Sequence, residues 1–179
     1  AYSSSALNWY NAADPRPDYY RYLPSYFGEG TEAYNLYANL WRDNSAFRQI
    51  KWDNLYQANY LNNLQSEQDG KERGSIYILE KRHSNQLNFQ FNSTLNHRLN
   101  STMTLQAGVG ANYTKGSYYK TMKDLLGGLY WKDVDQFSER DFPDNKNMLQ
   151  NDLNNPNRKV GKGDKFGYDY NINVFTANA

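Results

Sequence analysis

The sequence contains no cysteine, and this absence excludes disulfide bonds and thiolate metal sites. It also has no run of about 18 apolar residues, the length that a membrane-spanning helix requires. Basic and acidic residues nearly balance, at 20 against 19, and the two signs are interspersed along the chain. A nucleic-acid partner therefore has no electrostatic support.

Apolar residues are also scarce, at 39%, against about 45–50% in ordinary globular domains. Aromatic residues and asparagine are abundant instead, with 17 Tyr, 8 Phe, 4 Trp and 24 Asn. Disordered chains are poor in aromatic residues, so this composition does not indicate disorder. It suits a surface with one wet side and one apolar side, such as a β-barrel wall or a carbohydrate-binding face.

Three segments alternate between apolar and polar side chains with a period of two residues, namely 87–95, 103–113 and 166–179. This period is typical of β-strands. The first two segments span about ten residues, which exceeds the usual strand length of about 5–6 and matches a strand that crosses a membrane. Their polar positions hold Asn, Gln, Thr and Gly, whereas the solvent face of a soluble sheet is usually charged.

The alternating segments divide the chain into four parts of one predicted barrel domain. Residues 1–73 are predicted to be an extracellular loop region with short helices, 74–114 a β-hairpin, 115–165 a second extracellular loop, and 166–179 a further barrel strand. Short turns at one end of the strands and long loops at the other are the pattern of outer-membrane barrels.

The first predicted helix has Thr31 as its N-cap, and the second is capped by Asp53 and ends at Asn62 and Asn63. A helical turn is also predicted over Met122–Leu126.

The predicted fold class is therefore mainly β: an antiparallel transmembrane β-barrel segment of about three long strands, with long extracellular loops that contain short helices. In such a segment Tyr113, Tyr168 and Tyr170 would form an aromatic girdle beside the second loop. The alternative is a soluble or surface-anchored β-rich module that binds a glycan or a peptide. Connections of about fifty residues are rare in compact soluble domains, and this favours the barrel.

The hairpin register follows from the rule that like faces meet across paired strands. It predicts Leu95 opposite Met103 and Phe91 opposite Ala107, with an odd-numbered turn in which Asn100 adopts the left-handed conformation.

Few residues suggest chemistry. The candidates for contact with a substrate are the loop aromatics Trp9, Tyr10, Tyr130 and Trp131, which can stack on a sugar or grip a peptide, although they can equally pack the loops together. Asp133 and Asp135 begin like a calcium loop, but the Gly and the final Glu of an EF-hand are missing. We expect no catalytic residues, because neither histidine has a nucleophile context.

Five segments, which together cover most of the chain, resemble TonB-dependent receptors of Bacteroidetes outer membranes, in particular those that contain a carboxypeptidase-regulatory-like domain. They are ALNWYNAADPRPDYYRYLPSYF at 6–27, QIKWDNLYQANYLN at 49–62, SIYILEKRHSNQ at 75–86, LLGGLYWKDVDQFSERDFPDN at 125–145 and LQNDLNNPNRKVGKGDKFGYDYNI at 149–172.

The resemblance implies an importer of a nutrient with a barrel of about twenty-two strands and an N-terminal plug. The implied partners are membrane lipid, the remainder of the barrel and plug, TonB acting through the missing N-terminal part, and a surface lipoprotein. It implies no enzymatic activity, no cofactor and no nucleic acid. The chain itself has no recognisable plug or TonB box, so the residues of the transport machinery cannot be assigned here.

Overall fold

The computed structural model describes residues 1–142 and 144–178, with 40% of the chain in strands and 28% in helices. Its helices and strands, in chain order, are β1 (Tyr2–Trp9), α1 (Glu32–Asp43), α2 (Trp52–Asp69), β2 (Tyr77–Arg98), β3 (Thr104–Asp124), β4 (Trp131–Lys132), α3 (Gln136–Asp141), β5 (Lys159–Val160) and β6 (Lys165–Asn178). Short 3-10 helices lie between them at 20–22, 24–26, 45–48 and 146–149.

One antiparallel sheet with the strand order β1–β2–β3–β6 dominates the fold, so the prediction of a mainly β, antiparallel structure is confirmed. The sheet is open in the part of the chain that is described, with β1 and β6 at its edges. The tight turn between β2 and β3 lies at one end, which we call the lower end. The helices, the remaining strands and the long connections lie at the upper end, where β1 pairs only with 77–84.

Side chains alternate between two faces of this sheet, and even-numbered residues lie opposite even-numbered residues on neighbouring strands. Asn92 faces Gly110 and Asn178, for example, while Phe91 faces Ala111 and Ala177. The exception is Leu79, which lies opposite Asp124 after a shift in register. We call the two sides the even face and the odd face, after the residue numbers of their side chains.

The hairpin confirms the predicted parity but not the predicted partners. Leu95 lies opposite Ala107 rather than Met103, because the turn spans 99–103 and is centred on Ser101 instead of Leu99. The Asn100 carboxamide oxygen accepts hydrogen bonds from the backbone N–H groups of Thr102 and Met103, both at 2.9 Å. Asn100 is not among the described residues with positive φ, so this turn is closed by its side chain and not by a left-handed backbone.

Helix α1 begins as predicted, with the Thr31 hydroxyl accepting a hydrogen bond from the backbone N–H of Tyr34 at 3.1 Å. Helix α2 continues past the predicted end to Asp69, where Gly70 closes it in the left-handed conformation. The Asn62 and Asn63 side chains do not stop the helix. They donate to backbone carbonyls of neighbouring segments at 2.8 and 3.0 Å.

The strands extend further than the alternation indicates. Strand β1 lies inside the predicted loop region 1–73, β2 begins at Tyr77, and β3 continues to Asp124, so Met122 belongs to a strand and not to a helical turn. The physical reason is that the upper end of the sheet packs against other segments. Apolar and polar residues alternate cleanly only where one face is apolar and the other is wet.

A small core covers the even face at this upper end. Ile78, Met122 and Phe166 project from the three long strands and pack against Trp131 of β4 and Val160 of β5. All five are 5% exposed or less. The β4–β5 hairpin is therefore held on the even face of the sheet, above an uncovered lower half.

Candidate functional site

A buried carboxylate organises the even face next to this core. Glu80 is fully buried, and its carboxylate oxygens accept hydrogen bonds from the Arg82 Nε at 2.5 Å, the Asn8 Nδ2 at 3.0 Å and the Lys120 Nζ at 3.3 Å. A buried charge is tolerated only when it is paired in this way. The contacts join β1, β2 and β3 and fix the position of the Lys120 ammonium.

Lys120 in turn lies over two aromatic rings of β6. Its Nζ is 4.9 Å from the centre of the Phe166 ring and 5.3 Å from that of Tyr168. These are cation–π distances. A cavity of about 360 Å³ opens here, lined among others by Tyr10, Lys120 and Tyr168. It therefore combines aromatic walls with one ammonium group.

A run of tyrosines continues the aromatic surface down the even face. The Tyr168 and Tyr170 rings are 5.7 Å apart, and Tyr118 stacks on Tyr170 at 5.1 Å. Gly116 makes room for this stack, because a Cβ at that position would lie 2.8 Å from the Tyr118 ring. Tyr168 and Tyr170 are 39% and 48% exposed, so their rings are free to contact a ligand.

The loop above the cavity is fastened by Asp133. This residue is 2% exposed, and its Oδ1 accepts hydrogen bonds from the Gly167 N–H and the Asn151 Nδ2, both at 2.9 Å. Asp135 caps helix α3 by accepting from the Phe137 N–H at 2.9 Å. Both carboxylates thus have structural partners, and in the ranges 1–142 and 144–178 no group of three or more His, Asp or Glu could hold a metal ion.

Three of the four predicted aromatic residues line this cavity, namely Trp9, Tyr10 and Trp131. The Tyr10 ring packs edge-on against Trp131 at 6.3 Å, and its hydroxyl donates to the Glu139 carboxylate. Burial and the neighbouring Glu139 raise the pKa of Tyr10 above its usual value. Trp131 itself is 5% exposed and belongs to the core. Its ring therefore supports the wall of the cavity more than it offers a surface.

Trp9 reaches this cavity from the end of β1, whereas Tyr130 does not line it. Trp9 pairs with Tyr77 on the odd face, with the Arg16 guanidinium 5.4 Å from its ring centre. The Lys159 Nζ lies 4.9 Å from the centre of the Tyr130 ring. The expected girdle is also divided, because Tyr113 projects from the odd face whereas Tyr168 and Tyr170 project from the even face.

Lys120 and the Tyr118–Tyr170 stack were not predicted. The alternation of 166–179 marks Tyr168 and Tyr170 as equivalent positions, but the sequence carries no signal that assigns them to the face opposite Tyr113.

No family model, curated protein or solved structure matches this chain. Among the helices of the described residues, none combines the length and the apolar character needed to cross a membrane.

Proposed function

We propose that this chain forms part of the wall of an outer-membrane β-barrel, in a nutrient importer of the TonB-dependent type. In this proposal the odd face contacts lipid in the lower half of the sheet, and the even face lines the lumen. The upper end lies outside the cell and holds the cavity beside Lys120. The resemblance of the five sequence segments supports the type of transporter. The chemistry of the two faces supports a location in the membrane.

The observation that carries the proposal is an exposed apolar band on the odd face. Five large side chains of the lower half of β2 and β3 are between 46% and 62% exposed: Phe89, Phe91, Leu95, Leu105 and Val109. A contiguous patch of this kind is uncommon on a soluble monomer and marks a surface that is covered by a partner or by lipid.

An aromatic row bounds this band at its upper side. Phe89, Tyr113 and Phe175 lie opposite one another on β2, β3 and β6, and Lys115 and Asn173 occupy the next odd-face row above them. Ten residues separate Phe89 from Leu99 in the turn. At about 3.3 Å per residue and a tilt of about 40°, this length gives a height of about 25 Å. That is the height of the apolar band of outer-membrane barrels.

On β2 and β3 the even face of the lower half is polar or small, whereas β6 adds the exposed apolar side chains Ile172 and Val174 to this face. Its rows read Gln90, Asn112 and Thr176, then Asn92, Gly110 and Asn178. Such residues suit a wet lumen, and the polar rows lead upward to the Tyr118–Tyr170 stack and the cavity. A substrate in the lumen would therefore meet aromatic rings and the Lys120 ammonium.

Cysteine labelling tests the orientation of the two faces, and the absence of native cysteine in this chain keeps its background low. In the protein assembled in outer membranes, Phe91→Cys and Val109→Cys should react with a lipid-soluble maleimide and resist a charged one, because both lie within the apolar band. Gln90→Cys and Asn92→Cys, on the adjacent wet positions, should show the opposite preference.

The outcome distinguishes the two predicted classes of protein. In a soluble or surface-anchored module a second sheet or a partner would cover the odd face, so neither the charged nor the lipid-soluble maleimide would react with Phe91→Cys or Val109→Cys. Equal reactivity of Phe91→Cys and Gln90→Cys with the charged reagent, in membranes where the protein is assembled, would refute the barrel wall.

Loss of the exposed rings tests the transport role. Tyr168→Ala combined with Tyr170→Ala should lower uptake about fivefold or more, because each stacked ring contributes about 0.5–1.5 kcal/mol. The readout is pairwise growth competition against the wild type on a panel of single limiting nutrients. The matched control is Tyr56→Ala with Tyr60→Ala, which removes two similarly exposed rings from α2. Equal growth of both double variants on every nutrient would exclude the tyrosines from substrate capture.

A further inference from the structure

The upper half of the odd face carries an excess of positive charge. Four lysines project from this side above the aromatic row, Lys81, Lys115, Lys123 and Lys165, whereas the carboxylate paired with them is Asp169. Lys123 is placed on this side by its hydrogen bond to the Ser5 hydroxyl, at 2.8 Å. On the even face at the same height, by contrast, the Glu80 carboxylate is shared by Arg82 and Lys120.

The positive groups are concentrated around Thr121. Lys81 and Lys165 lie opposite Thr121 on its two sides, and the His83 Nε2 is 3.0 Å from the Thr121 hydroxyl. The His83 ring stacks on Tyr119 at 4.4 Å, and the Lys165 Nζ lies 4.4 Å from the centre of the same Tyr119 ring. Lys81 and Lys165 thus lie in one cross-strand row on either side of Thr121, and the repulsion between their charges favours a bound anion.

The heights of these lysines indicate what kind of anion would fit. Lys115 is two residues above Tyr113 and Thr121 is eight, which corresponds to about 5 Å and about 20 Å above the aromatic row at 3.3 Å per residue and a 40° tilt. The headgroup layer of a phospholipid adds only about 5–8 Å to each side of the hydrocarbon. A phospholipid phosphate therefore reaches Lys115 but not Lys81 or Lys165.

We propose that this face binds an outer-leaflet glycolipid whose saccharide headgroup carries phosphate groups at two heights. The phosphate near the hydrocarbon contacts Lys115, and a phosphate further out on the saccharide contacts Lys81, Lys165 and His83. This proposal rests on the barrel orientation proposed above, because it requires the odd face to look outward into the membrane. It adds a lipid partner that recognises the outside of the wall, separate from the substrate in the lumen.

The experiment measures lipid retention by the assembled protein after extraction in detergent, using native mass spectrometry. The probes are rough lipopolysaccharide, the same lipid after enzymatic removal of its phosphates, and phosphatidylglycerol. Wild-type protein should retain the phosphorylated glycolipid at least tenfold better than the other two. Lys81→Gln with Lys165→Gln should weaken this retention about twenty-five-fold, at about fivefold for each lysine.

Two further variants separate a specific site from a general loss of charge or of folding. Lys71→Gln with Lys162→Gln removes the same charge from exposed positions outside this face and should leave retention unchanged. Asp169→Asn removes the carboxylate that is 2.7 Å from the Lys165 Nζ and should tighten binding severalfold. A gain of binding cannot arise from misfolding.

Each outcome decides the proposal. Equal retention of the phosphorylated and dephosphorylated glycolipid, or wild-type retention by the Lys81→Gln, Lys165→Gln variant, would overturn it. Equal retention of phosphatidylglycerol would assign the face to ordinary phospholipid instead. The cysteine labelling described above tests the barrel wall separately from lipid binding. The reagent preference of cysteines at Gln90, Phe91 and Asn92 does not depend on the lysines.

Discussion

Asn59→Leu should release helix α2 from the upper end of the sheet and lower the local free energy of unfolding by about 4 kcal/mol. Asn59 is fully buried, and its Nδ2 donates to the backbone carbonyls of Tyr77, Leu125 and Leu126 at 2.8, 3.0 and 3.0 Å. Its Oδ1 accepts from the backbone N–H groups of Ile76 and Tyr77 at 2.7 and 3.2 Å. Leucine has a similar size but leaves these buried backbone groups unpaired, each at a cost of about 1–3 kcal/mol.

Hydrogen exchange of the assembled protein measures this effect where it occurs. The amides of α2 should exchange about a thousandfold faster in the variant, since each 1.4 kcal/mol corresponds to about a factor of ten. Asn54→Leu, the same change at an exposed position of the same helix, is the control and should leave exchange nearly unchanged. If both variants exchange alike, then packing around the buried Leu55 and not the Asn59 side chain holds the helix.

Asn59 also illustrates what the sequence can and cannot predict. The N-cap of α1 at Thr31 was predictable because its hydrogen bond spans only three residues. The contacts of Asn59 reach a turn 66 and 67 residues away, and an asparagine within a helical pattern carries no local signal for such a role. Glu80 and Lys120 are 40 residues apart, and this separation hides their pairing in the same way.

The strands were likewise predictable from the sequence in one part of the sheet and not in the other. In the lower half of β2 and β3, where one face is apolar and the other is wet, the alternation predicted both strands and the parity of their pairing. It did not predict the pairing of β6, whose apolar residues Ile172 and Val174 lie opposite Gly116 and Thr114. The partner of Leu95 moved from Met103 to Ala107 because the turn is centred on Ser101 instead of Leu99, with the Asn100 side chain closing it. Strand β1 was missed because three of its first four residues are serine, which has no strand preference, and because it pairs with the covered part of β2.

The lower half also provides a closely matched pair of positions for testing the membrane energetics. Ser93 and Thr94 are adjacent hydroxyl residues of β2 that project from opposite faces of the sheet. Ser93 lies opposite Val109 near the middle of the apolar band, whereas Thr94 lies opposite Gly108 on the polar side. Arginine can be placed at either residue with nearly the same change in volume and charge.

Ser93→Arg should lower the free energy of unfolding by about 2–4 kcal/mol, because a guanidinium group facing lipid at the middle of the membrane loses its hydration. Thr94→Arg should change it by less than about 1 kcal/mol, because a side chain in the lumen remains wet. Urea denaturation of the assembled protein, followed by the loss of heat-modifiable mobility on a gel, measures both values against the wild type. If the two arginines destabilise the protein equally, then lipid does not lie against the odd face of β2, and a soluble sheet with two wet sides explains the result better than a barrel wall.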